Sequence, residues 1–229
     1  YARRFENLRV EMENSLRELH DKSAGMLQIG ANESTTLYLL RHIRKFRELY
    51  PKVKVRVQRS LSSKIPSELI DGNLELGVIS YDPGDARLES RVIYTDALAF
   101  VVAPQHRLAE LDSVSITELG AETFIAHNVM SPYREVVLRE FQHYKVQLPI
   151  SVEMPTIETI RKLVQANQGV AFLPRMCVQQ ELEQRTLKEV RVLELAVERK
   201  ILRRWYHTLR ELGDAALAMP VADREEVAA

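Results

Sequence analysis

The chain has 229 residues, of which 45% are hydrophobic, so it can bury one large core or two modest ones. Lysine plus arginine number 32 and aspartate plus glutamate number 32, which leaves no net charge. This balance excludes the strongly positive surface that binds the phosphate backbone of a nucleic acid, so the chain itself is not expected to bind nucleic acid. Its start is charged throughout, and no stretch approaches about 18 uninterrupted apolar residues. The sequence therefore predicts neither an export signal nor a membrane span.

The cysteine and histidine content limits the chemistry that the chain can carry. Cys177 is the only cysteine, so an internal disulfide and a thiolate metal cluster are both excluded. A reducing cytoplasm fits this composition. The favoured interpretation of Cys177 is a small packed hydrophobic residue. Redox sensing is the less favoured alternative, because an oxidised Cys177 would have no second cysteine with which to form a disulfide. No two histidines have metal-ligand spacing, so neither a metal nor another cofactor is expected.

The first segment, residues 1–21, has apolar residues at steps of three or four and contains no proline or glycine. This period predicts an amphipathic helix. Its apolar stripe is narrow, as in a helix that pairs with another subunit, although the segment is too short to establish a coiled coil. Packing against its own domain is the alternative. The stripe consists of Phe5, Leu8, Met12, Leu16 and Leu19.

From residue 24 onward, short apolar strands alternate with helical stretches, and a βαβαβ pattern occurs twice. The first copy comprises strands at 26–30, 53–57 and 74–79 and helices at 35–49 and 64–70. The second copy comprises strands at 123–126, 150–153 and 170–173 and helices at 132–144 and 156–166. In each copy a proline precedes the second strand and a glycine precedes the third, as expected where a helix has to end.

Two such patterns predict an α/β fold of two doubly wound lobes, each a mostly parallel sheet with helices on both faces. Strands at 96–104 and 200–206 have no place in the repeat, so we expect them to cross between the lobes and form a hinge. The architecture would then be like that of periplasmic binding proteins. The predicted organisation is a linker helix at 1–21, lobe I at 24–102 and 202–229, and lobe II at 103–201. Lobe I would include a closing helix at about 208–218, and 219–229 would fray.

Ligands of open α/β sheets bind beyond the carboxyl ends of the strands, where helix amino termini meet the crevice. Four predicted helix starts have a hydroxyl residue in the capping position: Ser34, Ser62 next to Ser63, Ser131 before Pro132, and Thr156. A single cap is usually structural. Because the fold should direct the caps of both lobes at one cleft, we predict that they bind a carboxylate, sulfate or phosphate there.

Further polar residues at the predicted strand ends extend this candidate site. Asn32 and Ser80 follow strands of lobe I, and His127 and Asn128 follow the first strand of lobe II. A satisfied loop histidine is an equally good interpretation of His127. Two cations in first helical turns are additional candidates, with a solvent-exposed face as the more frequent alternative: Lys64 and Arg134.

The sequence lacks the common signatures of catalysis. There is no glycine-rich phosphate loop and no Gly-x-Ser-x-Gly elbow. A cleft lined by hydroxyls and amides, with no evident base beside a nucleophile, favours binding over turnover. We therefore expect a binding domain that is not an enzyme.

The chain contains a series of short stretches whose order and spacing together are specific for one protein family. No single stretch is specific by itself. The stretches are 27–30 followed by Ser34, 46–53, 69–78, 98–104 with 106–109, 164–166 and 169–174. In this combination the chain resembles, over nearly its whole length, the linker helix and effector-binding domain of LysR-type transcriptional regulators.

The resemblance implies a cytoplasmic bacterial regulator that binds DNA through a winged helix-turn-helix ahead of the linker helix, a part that this chain lacks. It also implies homodimers or homotetramers, and a small-molecule effector held between the lobes. The effector contacts of the family fall on Ser34, Thr35, Ser62, Ser80, His127, Asn128, Ser131, Pro155, Thr156 and Phe172. Glu33 stands where the family often has a small or hydroxyl residue, and its carboxylate would oppose an anionic effector if it faced inward.

Two other classes of protein remain open as alternatives. A periplasmic-type solute-binding protein has the same two-lobed architecture, but it would be exported and would lack the charged first helix. An enzyme on the same scaffold, for instance a dehydratase or a deaminase of the tetrapyrrole pathway, would convert its ligand. The regulator is the preferred interpretation.

Overall fold

A computed structural model of the chain describes residues 25–81, 84–195 and 197–206. Three predictions concern segments outside these residues: the linker helix at 1–21, the closing helix at 208–218 and the frayed end at 219–229. Among the residues that are described, no helix is both long enough and apolar enough to cross a membrane.

The described elements follow the predicted alternation of strands and helices. The strands are β1 (Gly25–Ala31), β2 (Val53–Arg59), β3 (Leu76–Ile79), β4 (Leu88–Val102), β5 (Ser113–Val114), β6 (Phe124–His127), β7 (Ile150–Met154), β8 (Ala171–Pro174), β9 (Lys188–Glu189), β10 (Arg191–Val192) and β11 (Glu198–Tyr206). The helices are α1 (Glu33–Leu49), α2 (Ile65–Ile70), α3 (Ile116–Leu119), α4 (Pro132–His143), α5 (Ile157–Gln165) and α6 (Gln179–Glu183). Short 3₁₀ turns occupy Arg107–Glu110 and Arg175–Cys177.

The chain divides into two compact units. The first unit ends at Thr95 and resumes at Lys200, and the second unit runs from Asp96 to Arg199. The long strand β4 therefore begins in the first unit and ends in the second.

The first unit contains the first predicted βαβαβ pattern. Its strand order is β2-β1-β3-β11-β4, and β1 pairs in parallel with both β2 and β3. The strand that was predicted to return at 200–206 is present and pairs antiparallel with β3, with Leu202 opposite Ile79. A parallel order of this kind brings the carboxyl ends of β1 and β3 to the same edge of the sheet.

Helices cover both faces of the first unit's sheet. On one face, α1 packs against Ile29 of β1 and Val78 of β3. On the other face, α2 lies over Gly77, where an added Cβ would come within 2.6 Å of Ile65 Cγ2. Glycine is therefore required at this position, because a larger side chain would push α2 away from the sheet.

The second unit repeats the arrangement. β6 pairs in parallel with β7 on one side, and Phe124 bridges in parallel to Val170, just before β8, on the other. The second half of β4 pairs antiparallel with β8, with Leu98 opposite Pro174. The second predicted βαβαβ pattern is therefore confirmed.

An aromatic cluster fills one face of the second unit. Phe141, on α4, is 1% exposed and meets the ring of Phe124 edge to face, with centroids 5.8 Å apart. The rings of Phe124 and Phe172 are stacked at 5.6 Å, and Phe100 completes the group. Aromatic pairs at such distances stabilise a core beyond the area that they bury.

The opposite face of the second unit contains Cys177. This residue is 3% exposed and packs in a cluster with Ile160, Val164 and Leu173. The structure thus confirms Cys177 as a packed hydrophobic residue, which lies at the end of a 3₁₀ turn.

The short helix α3 begins with a capping box. Glu118 Oε2 accepts hydrogen bonds from the backbone N–H of Ser115 at 2.8 Å and from its hydroxyl at 3.1 Å. These two bonds, with a smaller contribution from Arg107, hold the pKa of the exposed Glu118 carboxyl below its ordinary value. A lowered folded-state pKa adds stability above the unfolded pKa and loses it as the pH falls through the folded pKa.

We therefore expect Glu118→Gln to destabilise the chain at neutral pH and to make no difference in acid, once the native Glu118 is protonated. Thermal melts of both proteins across the acidic range would measure this convergence. An NMR titration of Glu118 at its ordinary pKa would contradict the prediction.

Candidate functional site

Asn32 follows β1 and caps α1. Its Oδ1 accepts the backbone N–H of Thr35 at 2.9 Å, and the Thr35 hydroxyl accepts the backbone N–H of Asn32 at 3.0 Å. The prediction that Ser34 caps this helix was wrong, because the helix starts at Glu33 and Asn32 occupies the extended capping position. Asparagine is among the strongest capping residues, so the helix begins at the first residue that can cap it.

Ser34 and Thr35 lie in the first turn of α1 and are buried. The Ser34 hydroxyl donates to Asn32 Oδ1 at 3.0 Å. The Thr35 side chain is fully buried, and its hydroxyl donates to the carbonyl oxygen of Val78 at 2.9 Å. Thr35 thereby ties the start of α1 to β3.

Ser62 lies in the loop between β2 and α2, where it is half-buried. The prediction that Ser62 and Ser63 cap α2 was wrong, because Lys64 takes the capping position in a helical conformation and its side chain makes no capping hydrogen bond. The Ser62 hydroxyl instead accepts Asn32 Nδ2 at 2.7 Å, from a residue 30 positions away. The carbonyl of Ser62 accepts the Tyr81 hydroxyl at 3.1 Å.

The remaining residues predicted for lobe I lie at the same edge of the sheet. Ser80 follows β3 and is 6% exposed. Glu33 is paired with Arg59 at 3.1 Å, so its carboxylate charge is offset inside the unit. Lys64 is exposed. The first unit thus brings together Asn32, Ser34, Thr35, Ser62 and Ser80.

His127 is the last residue of β6 in the second unit, and Arg134 lies in the first turn of α4. His127 Nδ1 accepts the backbone N–H of Val129 at 3.0 Å. Arg134 donates to the carbonyl oxygen of His127 and to Glu153 Oε1, each at 2.7 Å. The guanidinium predicted as a cationic contact is therefore already engaged with this loop.

The two predicted caps of the second unit are confirmed as caps. Ser131 Oγ accepts the backbone N–H of Arg134 at 3.2 Å, and Pro132 is the first residue of α4. Thr156 Oγ1 accepts the backbone N–H of Thr159 at 3.2 Å. Because the Thr159 hydroxyl donates to the Thr156 carbonyl at 2.8 Å, the Thr156 hydroxyl has to be the donor in their 2.8 Å contact.

The other residues predicted for lobe II differ in their surroundings. Asn128 and Pro155 are exposed beside β6 and α5. Phe172 is half-buried and belongs to the aromatic cluster of the core. In the part of the chain that is described, no group of His, Cys, Asp or Glu side chains could hold a metal ion.

Two residues that shape these loops were not predicted from the sequence. Tyr81 anchors the backbone of Ser62, and Arg59 pairs with Glu33. Tyr81 directly follows Ser80 at a strand end, which was a usable signal. The Arg59 pair spans 26 residues and has no local signal.

The sequence is similar to a known protein family and to several known proteins. A profile described as "LysR substrate binding domain" matches residues 20–218. A "Probable RuBisCO transcriptional regulator" of Cyanophora paradoxa is 28% identical over 195 residues, which cover 82% of this chain and 60% of the relative. A protein of the same description from Synechocystis is 27% identical and is matched over 56% of its length, with 82% of this chain covered. The chain thus spans about three fifths of the length of these relatives.

Solved structures have the same fold. The regulatory domain of Synechocystis CcmR, in complex with 2-PG, superposes with a TM-score of 0.75 at 18% identity, covering 87% of this chain and 99% of that one. The effector-binding domain of QuiR, in complex with shikimate, gives 0.72 at 17% identity, covering 87% and 96%. The BenM effector-binding domain with benzoate gives 0.66 at 18% identity, covering 80% and 84%.

These identities are too low to carry more than the fold, but the family profile covers most of the sequence and both units. The chain therefore belongs to the LysR family and is a LysR substrate-binding domain.

Proposed function

We propose that this domain senses a small molecule and thereby controls transcription by a longer LysR-type regulator. The observation that carries the proposal is the family match over residues 20–218, which fits both doubly wound units. The same match favours a regulator over a periplasmic-type solute-binding protein. DNA binding would belong to a winged helix-turn-helix elsewhere in the regulator, which we expect to be cytoplasmic and to work as a homodimer or homotetramer.

The proposed effector contacts lie at the carboxyl ends of the strands in each unit. In the first unit they are Asn32, Ser62 and Ser80, and in the second they are His127, Asn128, Ser131 and Pro155. Ser34, Thr35 and Thr156 support these contacts, because their hydroxyl protons are used inside the fold. Phe172 contributes through the packing of the core below.

The chemistry of these residues favours an effector with an oxyanion. Backbone amides at the starts of α1, α4 and α5, together with serine hydroxyls, supply donors and positive dipole ends. The Glu33 carboxylate, which would repel an anion, is paired with Arg59. The molecules bound to fold neighbours, namely 2-PG, shikimate and benzoate, support testing the same classes here.

Binding without turnover is part of the proposal. At the candidate site His127 Nδ1 accepts a backbone N–H, Ser62 Oγ accepts an amide N–H, and Thr156 Oγ1 accepts a backbone N–H. A nucleophile beside a base is what hydrolytic and acyl-transfer chemistry requires.

A ligand that binds only the native state should raise the melting temperature of this chain. At a thousand times its dissociation constant it adds about 4 kcal/mol to the free energy of unfolding, which corresponds to several degrees. A dye-based melt with 2-PG, shikimate, benzoate, sulfate and phosphate would detect it, with neutral sugars and amines as controls. Chromatography should recover the hit unchanged, and steady conversion to a product would contradict the sensor proposal.

A further inference from the structure

The orientation of the Asn32 carboxamide is set by a backbone group. The Thr35 N–H lies 2.9 Å from one end of the amide, and only the oxygen can accept it. The Ser34 hydroxyl approaches the same oxygen at 3.0 Å. The nitrogen therefore has to face Ser62, where it lies 2.7 Å from the hydroxyl oxygen.

This orientation decides the role of the Ser62 hydroxyl. An amide nitrogen has no lone pair to offer, so Ser62 Oγ accepts and its own proton is left over. No other hydrogen bond of this hydroxyl occurs among the residues that the structure describes. The residue is half-buried and its carbonyl is held by Tyr81, so the proton is available at a fixed place.

The neighbouring hydroxyl of Thr35 has a different fate. It is fully buried and lies 2.9 Å from the Val78 carbonyl oxygen, to which it donates. Of these two hydroxyls beside Asn32, only that of Ser62 can therefore donate to a molecule outside the fold.

We propose that Asn32 is a positioning residue that makes Ser62 a hydrogen-bond donor, so that the effector presents a carboxylate or phosphate oxygen to Ser62. The inference rests on the proposed function and deepens it, because it names the residue that leaves the Ser62 proton free to donate to the effector.

The test is a double-mutant cycle on Asn32→Asp and Ser62→Ala, with calorimetric binding of 2-PG, shikimate and benzoate, and with benzamide as a neutral comparison. Aspartate keeps the cap of α1, because it caps as well as asparagine. It has no N–H, so Ser62 would donate to it and lose its free proton. The matched control is Ser63→Ala, which removes the adjacent exposed hydroxyl.

Ser62→Ala should raise the dissociation constant of a binding oxyanion about tenfold to a hundredfold, and Ser63→Ala should leave it unchanged. Asn32→Asp should weaken binding in the wild type and add little in the Ser62→Ala background. Ser62→Thr, which keeps a hydroxyl, should restore most of the affinity.

The outcomes distinguish the inference from the proposed function. If a probe binds the wild type and Ser62→Ala has no effect, the inference is wrong and the sensor proposal stands. If Asn32→Asp costs as much with alanine at position 62 as with serine, its charge alone acts and the positioning role is wrong. If none of the three anions binds the wild-type chain, the proposed function for these effector classes fails and the inference fails with it.

Discussion

Replacing Phe141 with alanine should lower the free energy of unfolding of the second unit by about 3–5 kcal/mol. The ring is 1% exposed and meets Phe124 and Phe172 edge to face, at 5.8 and 6.3 Å. Truncation removes the buried ring and leaves a cavity between α4 and the sheet, and close-packed neighbours fill such a cavity only in part. Hydrogen exchange of the amides of α4 and β6 would measure the loss.

Two further variants make this result specific. Phe141→Leu keeps most of the apolar volume, so it should cost clearly less than alanine. Val129→Ala changes a side chain that is 41% exposed in the same unit and should stay within about 0.5 kcal/mol. A Phe141→Ala variant that loses under about 1 kcal/mol would mean that the aromatic cluster is loosely packed.

The second large effect is expected on binding, from removing one donor hydroxyl in each unit. Ser131 Oγ accepts the backbone N–H of Arg134, so its own proton is left to donate, as for Ser62. On the prediction made from the sequence, that one effector contacts both lobes, Ser62→Ala and Ser131→Ala should each weaken binding. Their effects should add to about 3 kcal/mol, which is on the order of a hundredfold in the dissociation constant. Calorimetry with the ligand found in the melting screen would measure this.

The matched control is the pair Ser63→Ala and Ser151→Ala, which removes from each unit one exposed hydroxyl that is not among the proposed contacts. It should leave the affinity unchanged. An effect of Ser62→Ala with none of Ser131→Ala would confine the effector to the first unit. That result would refute the prediction, made from the sequence, of a site shared by both lobes.

The fold was predictable because its signals are local and repeated. Apolar strands alternate with amphipathic helices twice, and Pro51 and Pro149 mark the second strand of each copy. Chirality and connection rules leave few ways to arrange two such patterns. The strand predicted at 200–206 has no place in the βαβαβ repeat, so its return to the first lobe could be expected. It is β11, which pairs with β3.

The helix caps were predictable only where the signal was complete. Ser131 is followed by Pro132, which fixes the helix start, and the structure agrees. At α1 the residues Asn32 and Thr35 form a capping box, but this signal was read two residues too late. The hydroxyl of Ser62 bonds to a residue 30 positions away, and nothing in the sequence near Ser62 indicates that contact.

The direction of each hydrogen bond is a further level that the sequence did not reach. Residue types alone made all the hydroxyls of the candidate site equivalent. The structure separates them, because Thr35 gives its proton to Val78 and Thr156 gives its proton to Thr159. This distinction depends on side-chain geometry across strands and turns.

The burial of Cys177 makes this residue a built-in reporter for the second unit. Its sulfur lies among Ile160, Val164 and Leu173 and is 3% exposed, so an alkylating reagent can reach it only after that core opens. Because Cys177 is the only thiol in the sequence, every modified molecule records one such opening. When reclosing is faster than the reaction, the labelling rate follows the equilibrium between closed and open forms. The chain therefore supplies its own measure of how tightly the second unit is held.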